Sequence, residues 1–181
     1  MALCSDITMG LYAVETLLLL HQSLFVQVVL NNAQAWSNMT KSGIVALERI
    51  QLKFLKRIFH APSSTSNPIT YLETGTLPIR YEIHIKQLVF LHHIITLHEN
   101  DPVRKTYQQQ LLYLAPNWAN EVLQLREKYK LTEADAEIAE LSKDTWKRKV
   151  KREVRGRALF DISKEANEQK TAQNLGPYNR L

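Results

Sequence analysis

The chain has 181 residues, 45% of them apolar and 23% charged, with a formal net charge of +5. That length allows one substantial core, or a core with a helical extension, and the composition is that of an ordinary globular protein. Cys4 is the single cysteine, which excludes an internal disulfide framework and a cysteine-rich zinc site and suits a reducing compartment.

Five glycines, six prolines and almost no alternating apolar and polar runs predict an all-α protein, a helical bundle with a charged helical C-terminal extension. The first predicted helix covers about residues 7–33, with Ser5 or Asp6 as its cap and Asn31-Asn32 near its end. It is apolar nearly all round, as a central bundle helix would be. Its apolar run, with Ala33-Gln34-Ala35 and the sequon Asn38-Met39-Thr40 behind it, has the outline of a secretory leader. Yet no base precedes the run, and Asp6 and Glu15 stand where a leader carries Lys or Arg. Glu15, His21, Gln22 and Gln27 also interrupt it, which disfavours a membrane span. The expectation is an intracellular protein, nuclear or cytoplasmic, with no membrane partner.

The second predicted helix runs from about Ile44 to Phe59, with Ile44, Leu47, Ile50, Phe54, Leu55 and Ile58 on its buried face. Arg49, Lys53, Arg57 and His60 follow at steps of four, four and three along the opposite face, with Lys56 beside them. Residues 61–66 form a loop, and Asn67-Pro68 reads as a cap followed by a first-turn proline. That short helix should stop at Gly75, a position suited to a left-handed C-cap. Pro78 opens a long helix to about His98, with Ile79, Ile83, Leu88, Leu91, Ile94 and Ile95 inward.

Asp101-Pro102 starts a helix to about Tyr113, and Pro116 starts another to about Tyr129. Thr132-Glu133-Ala134-Asp135 opens a short acidic helix whose carboxylates lie near its positive end. Ser142 caps a last long helix to about residue 168, and Gly176-Pro177 marks a frayed tail. The chain accordingly divides into a bundle over 1–115 and a charged extension over 116–181.

The positive charge is local. Residues 131–142 hold four acids (Glu133, Asp135, Glu137, Glu140) and no base, whereas residues 143–157 hold eight bases against Asp144 and Glu153. Trp146, Val150, Val154, Ala158 and Ile162 recur every four residues through that basic run, a narrow stripe for one docking seam. Lys147, Lys151 and Arg155 form one row beside the seam, and Arg148 and Arg152 form a second. Such a helix suits nucleic-acid phosphates, a nuclear-import signal, or pairing with the acidic segment 133–140. Arg49, Lys53, Lys56 and Arg57 make a second candidate phosphate surface, against the plainer reading that they only solvate a packed helix.

No catalytic set emerges. His92 and His93 are adjacent, His84 and His98 share no i,i+4 pair with either, and no acid stands at ligand spacing, so the histidines read as helix-surface residues and no metal or other cofactor is expected. Ser63, Ser64, Thr65 and Ser66 lack nucleophile-elbow glycines, and the chain has no glycine-rich phosphate loop.

One stretch carries a resemblance. Val28-Val29-Leu30, Trp36, Leu47-Glu48, Gln51, Phe54-Leu55-Lys56-Arg57-Ile58, Pro62 and Leu77-Pro78-Ile79 succeed one another, continued by Asp101-Pro102-Val103-Arg104-Lys105 and Asn117-Trp118. Over about residues 5–160 this pattern resembles the region behind the catalytic palm in reverse transcriptases of non-LTR retrotransposons. The resemblance implies a thumb and the start of its linker, a bundle that grips RNA, DNA or an RNA–DNA duplex through the backbone. It implies a parent RNA-directed DNA polymerase with its palm upstream. This chain lacks the palm aspartates, the Cys/His knuckle and the endonuclease, and Asn31 stands where the family more often has an aromatic residue. The expectation is a non-catalytic fragment. The rival is a helical protein-interaction module without a nucleic-acid role, and a weaker third is a polymerase subunit that borrows a palm in trans.

Overall fold

The computed structural model describes residues 14–113 and 115–174. Among them every regular element is helical. The helices are α1 (Val14–Leu20), α2 (Val26–Val29), α3 (Lys41–Ile58), α4 (Asn67–Thr74), α5 (Ile79–Thr96), α6 (Pro102–Leu112), α7 (Trp118–Lys128), α8 (Asp135–Glu140) and α9 (Lys143–Asn174). A π-helical turn, His21–Phe25, joins α1 to α2, and a 3₁₀ turn, Ala33–Ala35, precedes α3. The expected cap at Ser5 or Asp6, Cys4 and the tail at Gly176-Pro177 lie outside the described residues. None of the described helices is long and apolar enough to cross a membrane.

The stops and starts follow local chemistry. Gly75 ends α4 at φ 62°, the left-handed geometry that glycine adopts without steric cost. Asp101 caps α6 by accepting from the Val103 amide at 2.8 Å, and Ser142 Oγ accepts from Thr145 N at 3.2 Å. Glu137 reaches back to the Ala134 amide at 3.2 Å, satisfying one orphan donor at the head of α8. Two starts differ from expectation by a residue or two. Ser66 rather than Asn67 occupies the N-cap of α4. Helix α7 begins at Trp118, because Asn117 and not Pro116 supplies the cap, accepting from Asn120 N at 3.0 Å.

The chain forms two compact units: Met1–Asn31 with Val45–Ile79 and Leu159–Leu181, and Asn32–Ile44 with Arg80–Ala158. They interleave along the sequence, whereas a single division at residue 115 makes two successive regions. Helices α3 and α9 each contribute residues to both.

In the first unit Leu55, Tyr71 and Ile162 are buried together, with Leu18 and Leu52 packed against them. The buried face of α3 is rotated from the expected one. Leu55 and Ile58 are buried as expected, but Leu47 and Phe54 are half-buried and Ile50 is 55% exposed. Glu48 and Gln51 are buried instead. The reason is a polar hub: Gln51 Nε2 donates to Leu77 O at 2.9 Å, while its Oε1 accepts from Ile79 N at 3.0 Å and from the Tyr71 hydroxyl at 3.2 Å. These bonds satisfy the backbone around Pro78, just where α5 starts, and turn Gln51 inward.

The first helical segment also departs from expectation. Leu17, His21, Val26 and Leu30 are buried, but Leu19, Leu24 and Val28 are 69%, 58% and 74% exposed, so it is one-sided rather than enclosed all round. His21 stacks on Phe25 and Phe54 at 5.2 and 5.4 Å, and neither of its ring nitrogens has a hydrogen-bond partner.

In the second unit Ile83, Leu88, Leu91, Ile94 and Ile95 of α5 are buried, as their spacing predicts. The α9 stripe is as sharply defined as in the sequence: Trp146, Val150, Val154 and Ala158 are fully buried. Trp146 Nε1 donates to Leu88 O at 2.8 Å, and Trp118 Nε1 to Gln34 O at 2.8 Å, so both buried indoles satisfy their polar handle. In the first unit the stripe continues with Ile162 and Ala166, both buried.

Candidate nucleic-acid interface

Arg49, Lys53, Lys56 and Arg57 line one groove of about 650 Å³ along α3. The loop after α3 completes it with Ala61 and Ser63, and α4 with its first residue, Asn67. What holds the loop there is Lys56, whose Nζ donates to Ser63 O and Asn67 Oδ1, both at 3.0 Å. Lys56 is thus partly spent on the wall, while Arg49, Lys53 and Arg57 stay exposed. Val45 and Leu52 supply an apolar stretch, and Glu48 is the one acid lining the groove. His60 does not continue the basic row of α3. The helix ends at Ile58, and His60 turns into left-handed backbone at φ 48°.

On α9 the fully buried seam sends the basic residues outward. Lys147, Arg148, Arg152 and Arg155 are exposed, and Lys151 is half-buried. Arg152 pairs with its neighbour Glu153 at 2.8 Å, and Arg148 Nε lies 3.4 Å from Asp144 O. Lys151 and Arg155 lie near Glu82 of α5. Burial pushes the Glu82 carboxyl above its ordinary range, and Arg155, Lys151 and Lys86 pull it the other way.

The acidic segment accounts for little of this charge. Glu133 pairs with Lys149, Asp135 binds Arg126 at 2.7 Å, and Glu137 serves its own helix terminus. Lys149, the α9 base paired with Glu133, is not in the two candidate phosphate rows.

His60, His93 and His98 are exposed as expected, and three histidines correct the surface expectation. His21 and His92 are buried, and His84 is only partly exposed. His92 Nε2 is 2.8 Å from Leu141 O, and His84 Nδ1 is 2.6 Å from the Tyr129 hydroxyl. Burial first, then Lys128 and Arg80, push the His84 imidazole down to about 3. No sequence signal marks these three, because a buried histidine and a surface one share the same spacing on an apolar helix. Among the described residues no group of three or more His, Cys, Asp or Glu side chains could hold a metal ion.

Comparison with protein-family models, with curated proteins and with solved structures gives no match to this chain.

Proposed function

We propose that this chain is a nucleic-acid-binding helical module, similar to the thumb and linker of a non-LTR retrotransposon reverse transcriptase, which grips backbone phosphates and performs no chemistry itself. The observation that carries the reading is the α3 groove, where Arg49, Lys53, Lys56 and Arg57 share one concave surface. A groove lined by bases, with a single acid among them, suits a polyanion whose charge repeats along a line. The bases of α9, the exposed Lys147, Arg148, Arg152 and Arg155 and the half-buried Lys151, supply phosphate contacts of their own. Such contacts position a duplex without reading its sequence. An upstream palm domain in the parent protein would provide the reaction, and the work would be nuclear or cytoplasmic.

The test is the salt dependence of binding to an RNA–DNA hybrid and to duplex DNA, read by fluorescence anisotropy. Each lost phosphate contact flattens the slope of log affinity against log salt by ~0.9 on duplex DNA. The variant R49Q/K53Q/R57Q should flatten it by about 2–3, and replacing the five α9 bases by Gln by about 4. An unchanged slope in both folded variants would overturn the reading. Primer extension by the purified chain above a mock preparation would overturn the absence of chemistry.

One observation favours the rival, a protein-interaction module. Leu19, Leu24 and Val28 are exposed, in a stretch from Thr16 to Thr40 without any charged residue. That reading predicts association with a protein that is insensitive to salt, and no affinity for either duplex.

A further inference from the structure

Between the end of α3 and the start of α4 the chain carries four consecutive hydroxyl residues, Ser63-Ser64-Thr65-Ser66. Their surroundings differ. Ser66 is half-buried at the N-cap of α4, and its hydroxyl donates to Gln169 Oε1 at 2.5 Å. Thr65 is half-buried, and its amide closes a turn on Pro62 O at 3.0 Å. Ser63 and Ser64 are both exposed, but of the two only Ser63 lines the α3 groove. Its hydroxyl combines access from solvent with a place beside the bases.

We propose that Ser63 is a phosphorylation site, and that its phosphate occupies the α3 groove and closes it to an external polyanion. This rests on the reading of that groove as a phosphate-binding surface.

The cations are in reach. The Lys56 ammonium lies 3.0 Å from Ser63 O, so a phosphate on the same residue is within one side-chain length of it. Lys56 spends two of its three donors on Ser63 O and Asn67 Oδ1, which leaves one for a phosphate oxygen. Lys53, exposed three residues earlier on the same face of α3, lines the groove as well. With four bases against Glu48, the groove carries a net +3. A phosphoserine brings about −1.5 to −2 at pH 7 and three acceptor oxygens, so one modification cancels at least half of that charge. Being tethered, it also competes as an intramolecular ligand, at an effective concentration in the millimolar range.

The chemistry is ordinary phosphoryl transfer from ATP, carried out by a protein Ser/Thr kinase. The bond from Ser63 Oγ to the γ-phosphorus forms as the bond from that phosphorus to the β,γ-bridging oxygen breaks. The hydroxyl proton passes to solvent and ADP leaves. An exposed serine in a connecting loop can be presented to such an enzyme without unfolding a helix.

The experiment compares the full chain unmodified, with phosphoserine installed at position 63, and with phosphoserine at position 64, the fold of each checked by circular dichroism. Binding to duplex DNA is read by fluorescence anisotropy across a salt series. Phosphate at 63 should lower affinity about tenfold or more and flatten the slope of log affinity against log salt by about 1–2. Phosphate at 64, outside the groove lining, should lower affinity by less than about threefold. Equal losses from the two positions, or no loss from 63, would overturn the proposal. Phosphorus NMR supplies a readout that needs no nucleic acid. The phosphate at 63 should titrate below its ordinary value of about 6, because the Lys56 ammonium favours the dianion, and that at 64 should stay near it. Should the unmodified chain not bind duplex DNA, the reading of the groove as a nucleic-acid site fails, and the titration decides alone whether the phosphate enters the groove. The same value at both positions would show that it does not. The full chain incubated with ATP and a panel of protein Ser/Thr kinases should carry phosphate on Ser63 when mapped by tandem mass spectrometry, and none there would refute the assignment.

Discussion

Replacing Gln51 by Leu tests whether a polar hub, rather than the apolar stripe, sets the orientation of α3. Leucine keeps the side-chain volume, so the change removes hydrogen bonds without opening a large cavity. Gln51 is fully buried, and it serves Leu77 O and Ile79 N directly, at 2.9 and 3.0 Å. Each buried backbone group left without its partner costs about 1–3 kcal/mol, so Gln51→Leu should destabilise by about 2–6 kcal/mol. The Tyr71 hydroxyl, 3.2 Å from Gln51 Oε1, adds a smaller share, and Tyr71→Phe alone should cost about 1 kcal/mol. Urea denaturation followed by far-UV circular dichroism measures both, with the m-value showing whether the native state stays compact. A cost below about 0.5 kcal/mol for Gln51→Leu, typical of an exposed site, would refute the argument that this glutamine holds the α3–α5 connection.

Three further outcomes follow from the cores and the histidines. Leu55 is fully buried in the first unit, so Leu55→Ala should cost about 2–5 kcal/mol in the same denaturation assay. His84 is pushed from its ordinary 6.5 down to about 3, so the unfolded chain takes up the proton first and acid favours unfolding. The stability that neutral His84 contributes is complete above its unfolded value and is lost as pH falls from there through its folded one. Wild type should therefore lose about 2 kcal/mol at pH ~5 that His84→Gln does not lose, measured by urea midpoints at both pH values. His21 is buried with both ring nitrogens unpartnered, and burial lowers its pKa, so His21→Leu should stabilise by about 1 kcal/mol at neutral pH after the lost aromatic stacking is counted. Thermal melts of the two proteins check the sign.

The amino-acid sequence by itself determined the features whose causes are local. Gly75, Asp101 and Ser142 punctuate the helices because a left-handed φ and an orphan amide each need a particular residue type nearby. The four-residue stripe of α9 was legible from Trp146 to Val154 because the residues around it are nearly all bases, which leaves it one way to face. The basic row of α3 was legible as well, but not as a groove, since its second wall exists only when Lys56 holds the chain at Ser63 and Asn67. On α3 itself apolar periodicity placed Leu55 and Ile58 rightly but put Ile50 on the buried face and left Gln51 off it. Ile50 is exposed and Gln51 is buried, because the backbone around Pro78 has buried polar groups that only a side-chain amide there can satisfy. His21 among phenylalanines, and His84 between a tyrosine and two cations, were likewise decided by the tertiary structure. Helical spacing says which residues share a face, whereas the partners that face must satisfy come from segments distant in the chain.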